Sequence, residues 1–280
     1  MIIDFHTHIF PAEVKEKREE FFDDPAFRLL YSSKNSKIIT AEELISSMDE
    51  NRISRCVVFG FPWKEERNFK MHNDYIIEAA NKYSDRIWGF CCVYPLNKKA
   101  EDEVARCLDA GLKGVGEIAF YDSDINEEIA ISLKGIMDIC LEKDCPFVLH
   151  TNEPVGHKYP GKSPMSLSNL YSFIKMYPDN KIVLAHWGGG LFFYSLMKRE
   201  VKEVLKNVWF DTAASPYLYT KDIYTIASYI IGPEKILFGS DFPLIPPRRY
   251  FDEMEEAGLS PEEGSKIMEE NALELLKWKG

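Results

Sequence analysis

Short apolar runs rich in Val, Ile and Phe recur along the chain, and each is followed by a longer stretch in which apolar residues return at helical spacing. Eight of these runs read as strands, at 2–6, 55–59, 87–93, 114–118, 146–150, 181–186, 208–211 and 235–239. They are near-continuously apolar rather than strictly alternating, the pattern of a parallel sheet whose outer side is covered by helices. Helices are predicted over 41–51, 72–83, 100–110, 127–143, 166–177, 191–205, 221–231 and 261–278. The first follows Thr40, an N-cap residue with Glu43 at the reciprocal capping-box position, and carries Leu44, Ile45 and Met48 on one face. Gly111 suits a helix C-terminus, and Pro178 stops the helix that ends at Tyr177.

Strands alternating with helices imply either a closed barrel or an open doubly wound sheet, and alternation alone does not choose between them. The phosphate fingerprint Gly-x-Gly-x-x-Gly is absent after the first strand, which weakens the dinucleotide-binding form of the open sheet. Gly188-Gly189-Gly190 follows the sixth strand and reads as a tight turn. Two long loops, 9–39 with an extra helix around 12–22 and 151–164, leave the C-terminal ends of strands, the barrel face that carries active sites.

Composition narrows the function. With 280 residues, 45% hydrophobic and 28% charged, the chain has apolar material for one large core, and α/β barrels run to this length as one domain. A formal net charge of −11 argues against a partner held through phosphate contacts, so no nucleic acid is expected. The N-terminus lacks a basic region followed by an apolar stretch, and no later run approaches the roughly 18 apolar residues that cross a bilayer. The expectation is a cytoplasmic protein without a membrane partner, acting on a small molecule; a homo-oligomer is compatible with this. None of the six cysteines forms a Cys-x-x-Cys pair, and they read as buried free thiols rather than a disulfide framework.

The candidate chemistry sits at strand ends. In Asp4-Phe5-His6-Thr7-His8 the period of two puts Asp4, His6 and His8 on one face, where two imidazoles can grip one cation. Glu117 lies in the fourth strand, His150 closes the fifth, His186 closes the sixth and Asp241 follows the eighth. Any one of these alone would read as a capping carboxylate or a hydrogen-bonded histidine. Together at the ends of strands one, four, five, six and eight, they converge at one mouth if the sheet closes, giving the imidazole and carboxylate set favoured by zinc, manganese or iron.

On these residues the sequence resembles the amidohydrolase superfamily, in particular the amidohydrolase-related group that includes aminocarboxymuconate-semialdehyde decarboxylase. The matching segments are Ile3-Asp4-Phe5-His6-Thr7-His8 with Pro11, His150, Leu184-Ala185-His186 with Gly188-Gly189, and Gly239-Ser240-Asp241-Phe242-Pro243. The resemblance implies that His6, His8, His150 and Asp241 bind a first metal and that Asp241 accepts a proton from water on it. It also implies that His186 binds a second metal or assists catalysis as a free side chain. Gly116-Glu117-Ile118 departs from the decarboxylase pattern and is similar to TatD-like hydrolases, where the glutamate bridges two metals.

The reading adopted is a single-domain (β/α)8 TIM barrel over 1–280, with one or two divalent ions, zinc first and manganese or iron next. The metal ligands are His6, His8, Glu117, His150, His186 and Asp241, and the catalytic residues are Asp241 and His186. The expected activity is hydrolysis of an amide, ester, lactone or phosphoester by metal-activated water. The alternative is a mononuclear non-oxidative decarboxylase in which His186 is the acid or base. Phe61-Pro62-Trp63, Asn152-Glu153, Trp187 and Arg248-Arg249 are positioned in sequence to line the mouth. His72 reads as a solvent-facing residue at a helix start, and His157 belongs to a loop that could cover the mouth.

Overall fold

The computed structural model describes residues 1–278. Its strands are β1 (Ile3–His8), β2 (Arg55–Phe59), β3 (Ile87–Cys91), β4 (Gly114–Ile118), β5 (Phe147–Leu149), β6 (Ile182–Leu184), β7 (Val208–Asp211) and β8 (Ile236–Leu237). They pair in parallel in sequence order. Beyond β8 the chain returns to β1: Phe5 N–H donates to the Phe238 carbonyl at 2.7 Å, Asp241 N–H to His6 at 2.9 Å, and His8 N–H to Phe242 at 2.8 Å. The sheet is therefore a nearly closed barrel with helices outside it, the expected single-domain (β/α)8 architecture. Every expected strand is present, and the largest trimming is at β6 and β8, three residues each.

Two buried layers hold it together. Ile3, Phe5, Val57, Phe59, Phe90, Val148, Val183 and Leu237 pack against one another in the barrel interior, with Ala272 and Leu275 of the last helix against them. A larger cluster, including Cys56, Val58, Val115, Phe147 and Leu184, fills the space between the strands and the surrounding helices. Such stacked branched and aromatic side chains make the barrel centre a packed core rather than a pore. All the cysteines are free and buried, as expected. No helix among the described residues is long and apolar enough to cross a membrane.

Several helical expectations need correction. The helix expected over 72–83 starts six residues earlier, at Glu66, and 127–143 divides into Glu127–Ser132 and Lys134–Glu142. The last helix is interrupted by a π turn at Lys266–Glu270, whose Ile267 carbonyl accepts from Phe238 N–H at 2.9 Å. Pro247–Ala257, expected as loop, is a helix; Pro247 opens it and Gly258 ends it in the left-handed region. The continuous helix expected over 191–205 is replaced by a tight 3-10 segment and a short helix, Arg199–Val204.

The turn at 187–190 is the cause of that last difference. Trp187, Gly188, Gly189 and Gly190 all have positive φ, and a Cβ on Gly189 would lie 2.2 Å from the Asn152 carbonyl oxygen. Gly189→Ala is expected to cost about 2–4 kcal/mol, the sum of backbone strain and a forced shift. A denaturant midpoint equal to that of the wild type would refute the tight approach.

Candidate active site

Irregularities in two strands set the site. Between Asp4 and Thr7 the β1–β2 register shifts by one residue, and the same happens between Val115 and Ile118 on β4 against β5. A bulge of this kind adds one unpaired residue and re-aims the side chains after it. Phe5 consequently belongs to the barrel interior while His6 and His8 both face the mouth. The common face expected for Asp4, His6 and His8 is thus corrected. Asp4 instead accepts from Ser240 N–H at 2.9 Å and from Ser240 Oγ, tying β1 to the turn after β8.

On β4, Gly116 has φ +132 and a Cβ there would lie 2.5 Å from the Val148 carbonyl oxygen, so only glycine permits the approach that presents Glu117 inward. His186 and Asp241 also sit in the left-handed region, at φ 56 and 57. Non-glycine residues in that region cost backbone energy, and such strain concentrates at functional sites.

The gathered atoms form a compact set. His6 Nε2 and His8 Nε2 are 3.1 Å apart, and each lies 3.7 Å from Glu117 Oε2. Asp241 Oδ1 is 3.8 Å from His6 Nε2 and 3.5 Å from His8 Nε2. The other oxygen of Glu117, Oε1, meets His150 Nδ1 at 2.9 Å and His186 Nε2 at 3.5 Å. The six residues singled out from the sequence are therefore neighbours in the fold. His150 approaches through Glu117 and the far side of its ring bonds the Gly161 carbonyl at 2.9 Å, so it stands at the edge of the set.

Hydrogen bonds fix which ring nitrogens face inward. His6 Nδ1–H donates to Asp211 Oδ2 at 2.8 Å and His186 Nδ1–H to the Ala213 carbonyl at 3.0 Å, since neither acceptor can donate. Both rings consequently turn Nε2 to the site. Asp211, not among the residues expected from the sequence, supports this set: its Oδ1 also accepts from His186 N–H at 2.9 Å and Ala213 N–H at 3.0 Å. Its position as the last residue of β7 was the available signal. Asp211→Asn, which keeps the shape and removes the charge behind His6, is expected to weaken divalent-metal binding roughly 10- to 100-fold in a direct titration.

The electrostatics ask for a cation. Burial works to lower His6, yet Asp211, Glu117 and Asp241 push it up to about 10. His186 is pushed up to about 9 against its burial by Glu117 and Asp241. Burial opposes ionisation of Glu117, but His150 and His6 hold it well below the usual carboxylate range; Asp241, likewise buried, is held down by His8 and His6. Clustered buried carboxylates thus draw protons onto the imidazoles, and a divalent ion would replace the proton on any imidazole that ligates it. Donors bound to one ion at about 2.0–2.2 Å stand about 3.0–3.6 Å from one another, close to the separations found here. The mixed nitrogen and oxygen set fits a divalent first-row metal, held by His6 with Glu117 and His186 or with His8 and Asp241.

Other mouth expectations are revised. Trp187 is buried, its Nε1 donating to Ser215 Oγ at 2.6 Å with its ring against Tyr224, so it braces the floor of the loops. Trp63 and Phe61 are buried as well; Phe61 stacks on Tyr121, whose ring centroid is 5.4 Å from that of His150. Tyr121 and Tyr31 are half-buried; burial raises both phenols, with Glu117 and Asp241 facing each, which places two aromatic hydroxyls beside the site that the sequence reading did not single out. Asn152 bonds Ser163, and Glu153 pairs with Lys162 at 2.7 Å and Tyr159 at 2.8 Å, so the 151–164 loop is braced by its own side chains. Arg248 and Arg249 lie exposed on the Pro247–Ala257 helix, pairing with Asp252 and Glu253. His157 is exposed in its loop. His72 is not solvent-facing: it is 1% exposed in the middle of its helix, and burial lowers it to about 4.

A parallel barrel with imidazoles and carboxylates gathered at the C-terminal rim of its strands defines the class of metal-dependent (β/α)8 enzymes. The chain belongs to the amidohydrolase family, whose model, described as "Amidohydrolase", matches residues 3–278. Solved structures of the same fold include 5-carboxyvanillate decarboxylase from Sphingomonas paucimobilis, 14% identical with a TM-score of 0.79 over 99% of this chain and 98% of that one. A dihydroxybenzoic acid decarboxylase from a Polaromonas species, with bound manganese and 2-nitroresorcinol, is 18% identical with a TM-score of 0.70 over 99% and 96%. A 2,6-dihydroxybenzoate decarboxylase from Rhizobium is 16% identical with a TM-score of 0.69 over 100% and 98%. At these identities the likeness establishes the shared fold.

Proposed function

We propose that the protein is a metal-dependent, non-oxidative decarboxylase of a small hydroxylated aromatic carboxylate. The observation that carries this reading is the approach of His8 Nε2, Glu117 Oε2 and Asp241 Oδ1 to His6 Nε2, at 3.1, 3.7 and 3.8 Å; we read it as room for one ion at His6, with His186, 3.5 Å from the other oxygen of Glu117, as the proton carrier. The decarboxylases of the same fold support it, one of them with manganese bound. It takes the alternative weighed from the sequence ahead of hydrolysis.

His6, His8, Glu117 and Asp241 would hold the ion, with Asp211 bracing His6 and His150 bracing Glu117. When bound, the ion supplies a Lewis acid that orients and polarises an oxygen of the substrate. Tyr121 and Tyr31 offer phenol donors and aromatic edges to a flat ring, with the buried Phe61 ring packed against both. The Nδ1–H of His186 is engaged in its hydrogen bond to the Ala213 carbonyl, so the Nε2 edge is where its exchangeable proton sits. In decarboxylation the bond between ring and carboxylate breaks and its electron pair stays on the ring carbon. The Nε2 proton of His186 then fills the position that carbon dioxide leaves.

Hydrolysis stands as a second reading because the two oxygens of Glu117 face different histidine pairs, an arrangement suited to bridging two ions. Manganese-loaded protein assayed against hydroxybenzoates for carbon dioxide release, and against amides, esters, lactones and phosphoesters for hydrolysis, separates the two. Carbon dioxide release is the expected outcome. Hydrolytic turnover alone, with two ions per chain, overturns the proposal.

A further inference from the structure

His72, which the metal-site reading does not use, sits behind the end of β1. Its Nε2 lies 2.7 Å from the carbonyl oxygen of Ile9, the residue after His8, and its Nδ1 lies 3.0 Å from Trp63 Nε1. The partners fix its state without further assumption. A carbonyl only accepts and an indole N–H only donates, so Nε2 carries the proton and Nδ1 is bare. The ring is clamped in place: Phe10 packs on it at 4.8 Å between centroids, and a Cβ on Gly60 would come within 3.2 Å of it.

The consequence falls on His8. His6 and His186 have their rings oriented through Nδ1 by Asp211 and Ala213, but among the described residues no hydrogen bond holds His8 Nδ1. Phe59 flanks the His8 ring at 5.7 Å between centroids; without an Nδ1 hydrogen bond, the direction of the His8 side chain otherwise depends on its backbone, which leaves β1 at that point. Three bonds pin this exit: His8 N–H to Phe242 at 2.8 Å, Ile9 N–H to Phe59 at 3.3 Å, and the Ile9 carbonyl to His72. The last connects β1 to the helix that follows β2, and Trp63 connects the same ring to the loop that begins that crossover.

We propose that His72 is a positioning residue for His8: as the neutral Nε2–H tautomer, held by Trp63, it fixes the backbone that aims His8 at the metal site. This rests on the reading of His8 as a metal ligand, and the test separates the two. Gln places a side-chain N–H near the position of Nε2 and can still reach Ile9, whereas Asn places a carbonyl near the position of Nδ1 and can serve only Trp63. Manganese(II) titrated into wild type, His72→Gln and His72→Asn should show binding about tenfold weaker for the Asn variant and within about threefold of wild type for the Gln variant. Equal affinities in all three, or equal losses in both variants, would overturn the proposal, because a packing role alone does not distinguish them. The metal-free wild type gives an independent readout, with the His72 ring nitrogen shifts in NMR expected to report Nε2–H. An Nδ1–H tautomer contradicts the positioning role even if no manganese binds, whereas absence of manganese binding with the Nε2–H tautomer counts against His8 as a ligand.

Discussion

Asp241→Asn is expected to lower kcat/KM roughly 100- to 10,000-fold, the range for loss of a group that takes part in proton transfer or charge stabilisation. The substitution removes charge and little else. Asp241 stands at φ 57, and Asn is among the few residues that adopt this region readily, so the backbone keeps its course. The ionised carboxylate faces His6 and His8 at 3.8 and 3.5 Å, and an amide there offers a weaker ligand and no negative charge. Metal content should fall along with activity, while the thermal midpoint of the metal-free form should stay within about 2 °C of wild type, as for a change that spares packing. Full activity with full metal content would remove Asp241 from the site's chemistry.

Stripping the metal is expected to abolish turnover and to lower the melting temperature, with both restored by manganese. The stability effect follows from mass action: an ion present at a hundred times its dissociation constant stabilises the folded state by about 2.7 kcal/mol. For a chain of this size that corresponds to a shift of about 5–10 °C. Without a cation, the carboxylates around them push His6 up to about 10 and His186 up to about 9, against their burial. A chelated protein with unchanged activity and unchanged melting would show that these groups serve only one another.

The barrel was readable because each strand is a short apolar run between polar, turn-forming segments, a pattern that packing on both faces enforces. The six candidate site residues were readable because parallel strands all deliver their C-terminal ends to one rim, whatever their separation in the chain. What escaped the sequence depends on tertiary context. A period of two cannot show the extra residue in β1, so Asp4 was assigned to the face of His6 and His8 when it binds Ser240 instead. The helix bearing His72 begins at Glu66 without a capping side chain to mark it, so its pattern alone suggests a later start and an exposed His72, which the fold buries. Asp211 carries the same strand-end signal as His150, but its part shows only once barrel closure brings the end of β7 to the His6 ring. The turn through Trp187 is set by three successive glycines in the left-handed region, which swing the indole into the core rather than over the mouth.

Anomalous X-ray diffraction from crystals grown with manganese(II) examines the shared cation most directly. Expected is a strong peak coordinated by His6, His8, Glu117 and Asp241, with Asp211 still bonded to the far side of the His6 ring. A well-ordered site without anomalous density, or an ion held by other residues while these imidazoles and carboxylates keep only each other as partners, would contradict it.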